Sequence, residues 1–208
     1  MKIYLVRHGE TEWNRTNRFQ GISDISLNAR GKAQAEALAQ ALKDEPIDVV
    51  YSSPLTRARE TAQAIRQFHP SSRYFEEEGL KEMDLGDFEG MAASGWAKQY
   101  PEFKKKWRES PSCIKLPSGE SLIEVQIRAV KTLKRIIQEN GPGTTLLICS
   151  HNFVIHTLLC HVLDISLDKF REIKQETAAL NLICMHGDHL LVEKVNEVSH
   201  LQHLNRKT

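Results

Sequence analysis

A three-layer α/β/α fold with a mainly parallel central sheet is predicted by three observations. Short apolar runs alternate with stretches of helix formers, the rhythm of βα units. Some of these runs are continuous rather than alternating, as in strands buried on both faces. Three of them end on arginine, histidine or serine, at the strand ends where open α/β sheets place ligands. The 208 residues suffice for one domain spanning residues 1–208, and no linker, repeat or low-complexity segment divides them.

The elements follow in order. Lys2 to Val6 is a strand, with Ile3, Tyr4 and Val6 favouring extended backbone, and Gly9 breaks it just after Arg7 and His8. From Asn28 the run N-A-R-G-K-A-Q-A-E-A-L-A-Q-A-L-K predicts a helix with Ala33, Ala37, Leu38 and Leu42 on its apolar stripe. Val49-Val50-Tyr51 is a short buried strand reaching Ser52-Ser53. Pro54 is expected in the first turn of a helix running to about Phe68, where a missing amide costs nothing. Tyr74-Phe75 begins another strand, and Leu80 to Gly90 is a loop rich in carboxylates.

Ala92 to Cys113 reads as short helices interrupted at Pro101 and Pro111, a small covering lobe over about residues 90–117, with Lys104, Lys105, Lys106 and Arg108 in solvent. A long helix follows the turn Pro117 to Ser121. Its expected buried side is Leu122, Val125, Ile127, Val130, Leu133, Ile136 and Ile137, and Asn140-Gly141-Pro142-Gly143 stops it. Thr145 to Cys149 is the most hydrophobic strand, followed by Ser150-His151-Asn152 and a helix from about Phe153 to Leu163. Ala179 to His186 and His189 to Val195 close the sheet as a hairpin with Gly187-Asp188 as its turn.

The balance of 28 basic and 27 acidic residues leaves no global pull toward nucleic acid or an anionic membrane, so recognition of negative charge must be local. The expected partner is a small molecule, and the protein a monomer or homodimer. No apolar run approaches the length of a membrane span, and the first residues read as a strand rather than a signal peptide, which predicts a cytoplasmic protein. Cys113, Cys149, Cys160 and Cys184 lack the spacing of a zinc or redox motif and read as small hydrophobes. His151, His156 and His161 lie five apart, which spreads them around a helix instead of stacking them as metal ligands. No metal site is expected from these or from His186 and His189.

Chemistry concentrates at strand ends: Arg7 and His8 after the first, Arg57 one helical turn beyond the second, His151 after the strand ending at Cys149. Parallel strands bring such ends together, so two guanidiniums and two imidazoles can surround one anion. Around a phosphoryl group they would neutralise its equatorial oxygens, the part a metal ion plays elsewhere, and no cofactor is implied.

The string L-V-R-H-G-E-T-E-W-N, with F-Q-G at Phe19 to Gly21, D-I-S-L-N-A-R-G-K-A-Q-A from Asp24, S-S-P-L-T-R-A-R-E-T-A from Ser52 and S-H-N at Ser150, resembles the histidine phosphatase superfamily, also called phosphoglycerate-mutase-like. The resemblance runs from Met1 to about His200. It implies a phosphomonoesterase in which His8 becomes phosphorylated, while Arg7, Arg57 and His151 hold the phosphate and stabilise the transition state. Thr11 and Asn14 match polar positions of the first motif, and Asn14 is a further candidate phosphate donor. Gln20, Gly21 and Asn152 complete the candidate substrate-binding set. Among the loop carboxylates Glu82, Asp84, Asp87 and Glu89, the resemblance points to Glu82 as general acid, with Met83 and Leu85 able to raise its pKa by desolvation.

Cofactor-dependent mutases of this family look longer after the acid residue and usually carry threonine where Gln20 stands, so hydrolysis is the first reading. Mutase activity and a weakly active binding module are the alternatives. Within the phosphatase branch the pattern is similar to bacterial metal-independent phosphoserine and α-ribazole phosphatases. Two positions depart from it. The phosphoserine type carries histidine where Leu85 stands, and most members follow the second catalytic histidine with glycine rather than Asn152. Asn152 would either donate to the phosphate or cap the following helix. His200 would either fold over the pocket or belong to a disordered tail.

Overall fold

The computed structural model describes residues 1–187 and 189–205. Six strands form one sheet: β1 (Lys2–Arg7), β2 (Val49–Ser52), β3 (Arg73–Glu76), β4 (Thr145–Ser150), β5 (Leu180–His186) and β6 (His189–Glu197), in the order β3-β2-β4-β1-β5-β6. The first four are mutually parallel and β5 runs against both neighbours. The helices are α1 (Glu12–Arg15), α2 (Ala29–Leu42), α3 (Thr56–Arg66), α4 (Ala93–Gln99), α5 (Pro101–Glu109), α6 (Leu122–Glu139), α7 (Asn152–Val162) and α8 (Gln202–Asn205).

Strand alternation explains the three layers. On β1, Ile3 and Leu5 join a core with α6 and α7, while Tyr4 and Val6 join a second core with α2 and α3. The same split separates Leu146 and Ile148 from Leu147 and Cys149 on β4. Helices on both faces therefore require the continuous apolar runs seen in the sequence. Each large aliphatic side chain so buried contributes about 1.5–3 kcal/mol.

Local chemistry sets the helix starts. The Asn28 side chain accepts from the Gly31 amide to begin α2, and Ser121 with Glu124 forms a capping box on α6. Pro101 opens α5 at its first position. Pro54 does not do the same for α3: the helix begins at Thr56 with Leu55 as N-cap, and Asp24 accepts from the Thr56 amide and hydroxyl.

On α6, Ile127 is 64% exposed, contrary to expectation. It lies two residues from Val125, about 200° around the helix, and Ala129 and Thr132 occupy the inner face instead. Val130 and Ile137 are half-buried. The acidic loop contains two 3-10 turns, Glu78–Leu80 and Gly86–Phe88. Lys104, Lys105, Lys106 and Arg108 are exposed on α5. Cys149, Cys160 and Cys184 are buried, Cys113 is exposed, and all four are free. β5 and β6 pair as the expected hairpin, although Asp188 of its turn lies outside the described residues.

Candidate active site

Register assembles the site. Parallel pairing sets Arg7 opposite Ser150 and Ser52 opposite Cys149, so His8, His151 and Ser53 leave three adjacent strand ends at one level. The His8 amide donates to the Ser150 carbonyl and the Ser53 amide to the Cys149 carbonyl. The His8 and His151 rings stand 5.1 Å apart, centroid to centroid.

His8 is 2% exposed, and its proton can be located from its partners. A carbonyl only accepts, so Nδ1, 2.7 Å from the Gly9 oxygen, carries the hydrogen. A guanidinium only donates, so Nε2, 3.3 Å from Arg57 Nε, offers its lone pair. Burial first, then Arg57 and Arg7, hold the His8 pKa well below the usual imidazole value, which keeps the ring neutral.

Arg57, fully buried in the first turn of α3, also donates to the Gly21 carbonyl at 2.6 Å and the Ser23 carbonyl at 2.8 Å. Burial lowers its pKa to about 10, opposed by Glu82, Asp24 and Glu89, so it remains cationic at neutral pH. Arg7 donates through Nη1 to the Gln175 carbonyl at 2.5 Å. His151 Nε2 lies 2.7 Å from Ser53 Oγ. Arg7 Nε and His151 Nδ1 are buried without a hydrogen-bond partner.

Glu82 is 3% exposed, the most deeply placed carboxylate of its loop. Its oxygens accept from the Met83 amide at 2.9 Å and the Phe153 amide at 3.1 and 3.3 Å. Burial is the largest influence and raises its pKa, against these amides and the two arginines. The rivals have other work. Glu89 accepts from the amides of Gly21, Ile22 and Ser23 and from the Ser23 hydroxyl, Asp84 accepts from the Gly86 amide, and Asp87 is exposed. Gly21 is needed beneath Glu89, because a Cβ there would meet the Glu89 carboxylate at 2.0 Å and the Met83 carbonyl at 2.4 Å.

Thr11 caps α1, and its hydroxyl donates to Gln20 Oε1. Asn14 accepts at Oδ1 from the Thr11 amide, which leaves its amide NH2 to donate elsewhere. His151, not Asn152, is the N-cap of α7, so the capping expectation for Asn152 is corrected. Asn152 is the first helical residue, and its carbonyl accepts from His156 Nδ1 at 2.8 Å. His200 is not a loose terminal residue either. Its Nε2 donates to the Ala178 carbonyl at 3.0 Å, and it lies in a groove against α2.

Sequence reasoning missed the supports. Arg128 of α6 uses all five N–H groups: Nη1 donates to the Gly79 and Lys81 carbonyls, Nη2 to the Glu82 carbonyl and to Glu120, and Nε to Glu120. Glu120 also accepts from the Asp84 amide. Gln175 pairs through its side-chain amide with Asn181, fixing the carbonyl that Arg7 uses. An arginine among Val125, Ala129 and Thr132 on an inward helix face was the available signal. Among the described residues no cluster of three His, Cys, Asp or Glu side chains could hold a metal ion, and no helix is long and apolar enough to cross a membrane.

Fold and site together define an α/β protein that gathers two guanidiniums and two imidazoles, both with lowered pKa, where parallel strands end. Residues 3–198 match the histidine phosphatase superfamily (branch 1). The chain is 35% identical over 201 residues to phosphoserine phosphatase 1 of Hydrogenobacter thermophilus, covering 97% of this chain and 94% of that protein. Among solved structures, YhfR of Bacillus stearothermophilus matches with TM-score 0.90 and 30% identity, over 97% of this chain and 99% of that one. Phosphoserine phosphatase of Entamoeba histolytica in complex with 3-phosphoglyceric acid matches with TM-score 0.83 and 28% identity, over 96% and 98%. The chain belongs to the histidine phosphatase superfamily, branch 1.

Proposed function

We propose that His8 is the nucleophile through which this chain hydrolyses its substrate. Membership of the family and its phosphatase relatives make the chain a phosphoric monoester hydrolase acting on small phosphorylated metabolites. The observation carrying the nucleophile assignment is the His8 ring itself, with Nδ1 bound to the Gly9 carbonyl and the lone pair at Nε2. Arg7 and Arg57 supply positive charge, and Arg7 Nε and His151 Nδ1 are donors for the phosphoryl oxygens. The amides of Asn14 and Asn152 are further donors, and Gln20 and Gly21 complete the proposed substrate-binding set.

Nε2 attacks phosphorus, the bond to the ester oxygen breaks, and protonated Glu82 gives its proton to the departing alkoxide. Water then attacks the phosphohistidine, Glu82 takes its proton, and the P–N bond breaks to release inorganic phosphate and restore neutral His8. Gln20 and the short lobe of α4 and α5 support water over a second hydroxyl as acceptor. Four free thiols suit a reducing compartment, and we place the enzyme in the cytoplasm as one domain with its lobe at about residues 90–117.

Acid-quench labelling tests this reading. A labelled phosphomonoester should leave acid-labile, base-stable phosphate on the wild type and none on His8→Ala. Label that persists in His8→Ala would move the nucleophile elsewhere, and no label across a broad panel would favour a binding module. Full activity after EDTA treatment is expected, since the arginines supply the charge.

A further inference from the structure

An apolar cavity of about 150 Å³ lies between the loop after α1, the acidic loop and the two lobe helices. Phe19, Leu85, Phe103, Trp107, Leu116 and Phe153 form most of its wall, and among the described residues no charged side chain lines it. The wall is pre-formed by ring packing. Phe103 stands edge-on to Phe88 at 5.1 Å, and Trp107 edge-on to Phe153 at 6.3 Å.

Its wall is continuous with the site. Phe153 lends its ring to the cavity while its amide holds both Glu82 oxygens. Leu85 lies three residues beyond Glu82, and Phe19 leads into Gln20 and Gly21, whose carbonyl holds Arg57. The cavity therefore adjoins Glu82, the residue assigned to protonate the leaving group, through Phe153, whose ring lines the one and whose amide holds the other.

We infer that this cavity is the leaving-group subsite and takes one aromatic ring or an apolar group of that size, so that the substrate class is phosphomonoesters of alcohols with an apolar tail. The inference rests on the phosphomonoesterase reading above and names its substrate class. A cavity of about this volume lined by aliphatic and aromatic groups has room for a benzene-sized ring. An ammonium or carboxylate entering it would lose its hydration without gaining a partner, which selects against a small zwitterionic leaving group.

The wild-type enzyme is assayed with 2-phenylethyl phosphate, ethyl phosphate and O-phosphoserine, all alkyl esters that need the same proton. kcat/KM for the phenylethyl ester should exceed the other two by about tenfold or more, the discrimination an apolar pocket provides. Trp107→Ala should shrink the phenylethyl-to-ethyl ratio. Equal kcat/KM for the three, or preference for O-phosphoserine, overturns the subsite while leaving the phosphatase reading intact. If no ester is hydrolysed and no phosphohistidine forms, that reading fails separately and calorimetry decides the subsite. About tenfold tighter binding of 2-phenylethylphosphonate than of ethylphosphonate upholds it, and equal affinity overturns it.

Discussion

The His8 ring lies between two neighbours of opposite kind, a carbonyl that accepts from its Nδ1 and a guanidinium that faces its Nε2 lone pair. Glu82 is biased the other way, since burial favours its neutral form. The pH dependence follows from these signs. His8 must be neutral, and its lowered pKa puts the acidic limb of kcat/KM below the usual imidazole value of about 6.5. Glu82 must be protonated to serve as acid, and its raised pKa puts the basic limb above the usual carboxyl value of about 4.3. Glu82→Gln should abolish the basic limb and cut kcat for alkyl phosphates by about 10²–10⁴-fold, with a much smaller loss for aryl phosphates. Steady-state kinetics over pH with both ester types checks this, and equal losses would remove the acid role.

At the scale of elements, α6 holds the segment that carries Glu82. Through Arg128 it grips three carbonyls at the start of the acidic loop, those of Gly79, Lys81 and Glu82, while Glu120 ties the Asp84 amide. Arg128 is thus a positioning residue for Glu82. Arg128→Lys cannot reproduce five planar donors. It should lower kcat about tenfold for alkyl phosphates, more than for aryl phosphates, with KM little changed, because the acid and not the phosphate cradle is displaced. Loss of stability with the same alkyl-to-aryl ratio as the wild type would reduce Arg128 to a structural role. Arg128 was hard to find in the sequence because the carbonyls it holds lie 46 to 49 residues away, beyond any local pattern.

Over the whole molecule, the reversed strand β5 carries the chain back beneath the site. Ala178, just before it, donates its amide to the His8 carbonyl, and His200 holds the Ala178 carbonyl from the chain's last turns. Leu201 beside it is 3% exposed in the core shared with α2. Deleting residues 199–208 should cost about 1.5–3 kcal/mol from Leu201 alone and lower Tm by roughly 5–10 °C. KM for a small phosphoester should stay unchanged, because His200 reaches the site through backbone and not through substrate. Thermal melts and Michaelis kinetics of the truncated chain separate the two effects, and a raised KM would put the tail in the pocket.

Short-range spacing was enough for much of this protein. Short continuous apolar runs and period-3.6 patterns located the strands and long helices, and Arg7, His8, Arg57 and His151 could be picked out because each follows closely on an apolar strand. Such signals survive in sequence because strand, turn and side chain lie within a few residues of one another. The proton on His8, the partners that occupy Glu89 and the aromatic cavity required the folded chain. Each depends on contacts between distant segments: Arg57 against His8, Glu89 bound to the 21–23 loop, Phe153 edge-on to Trp107. Burial and strand register create those contacts, and neither is a property of any single segment.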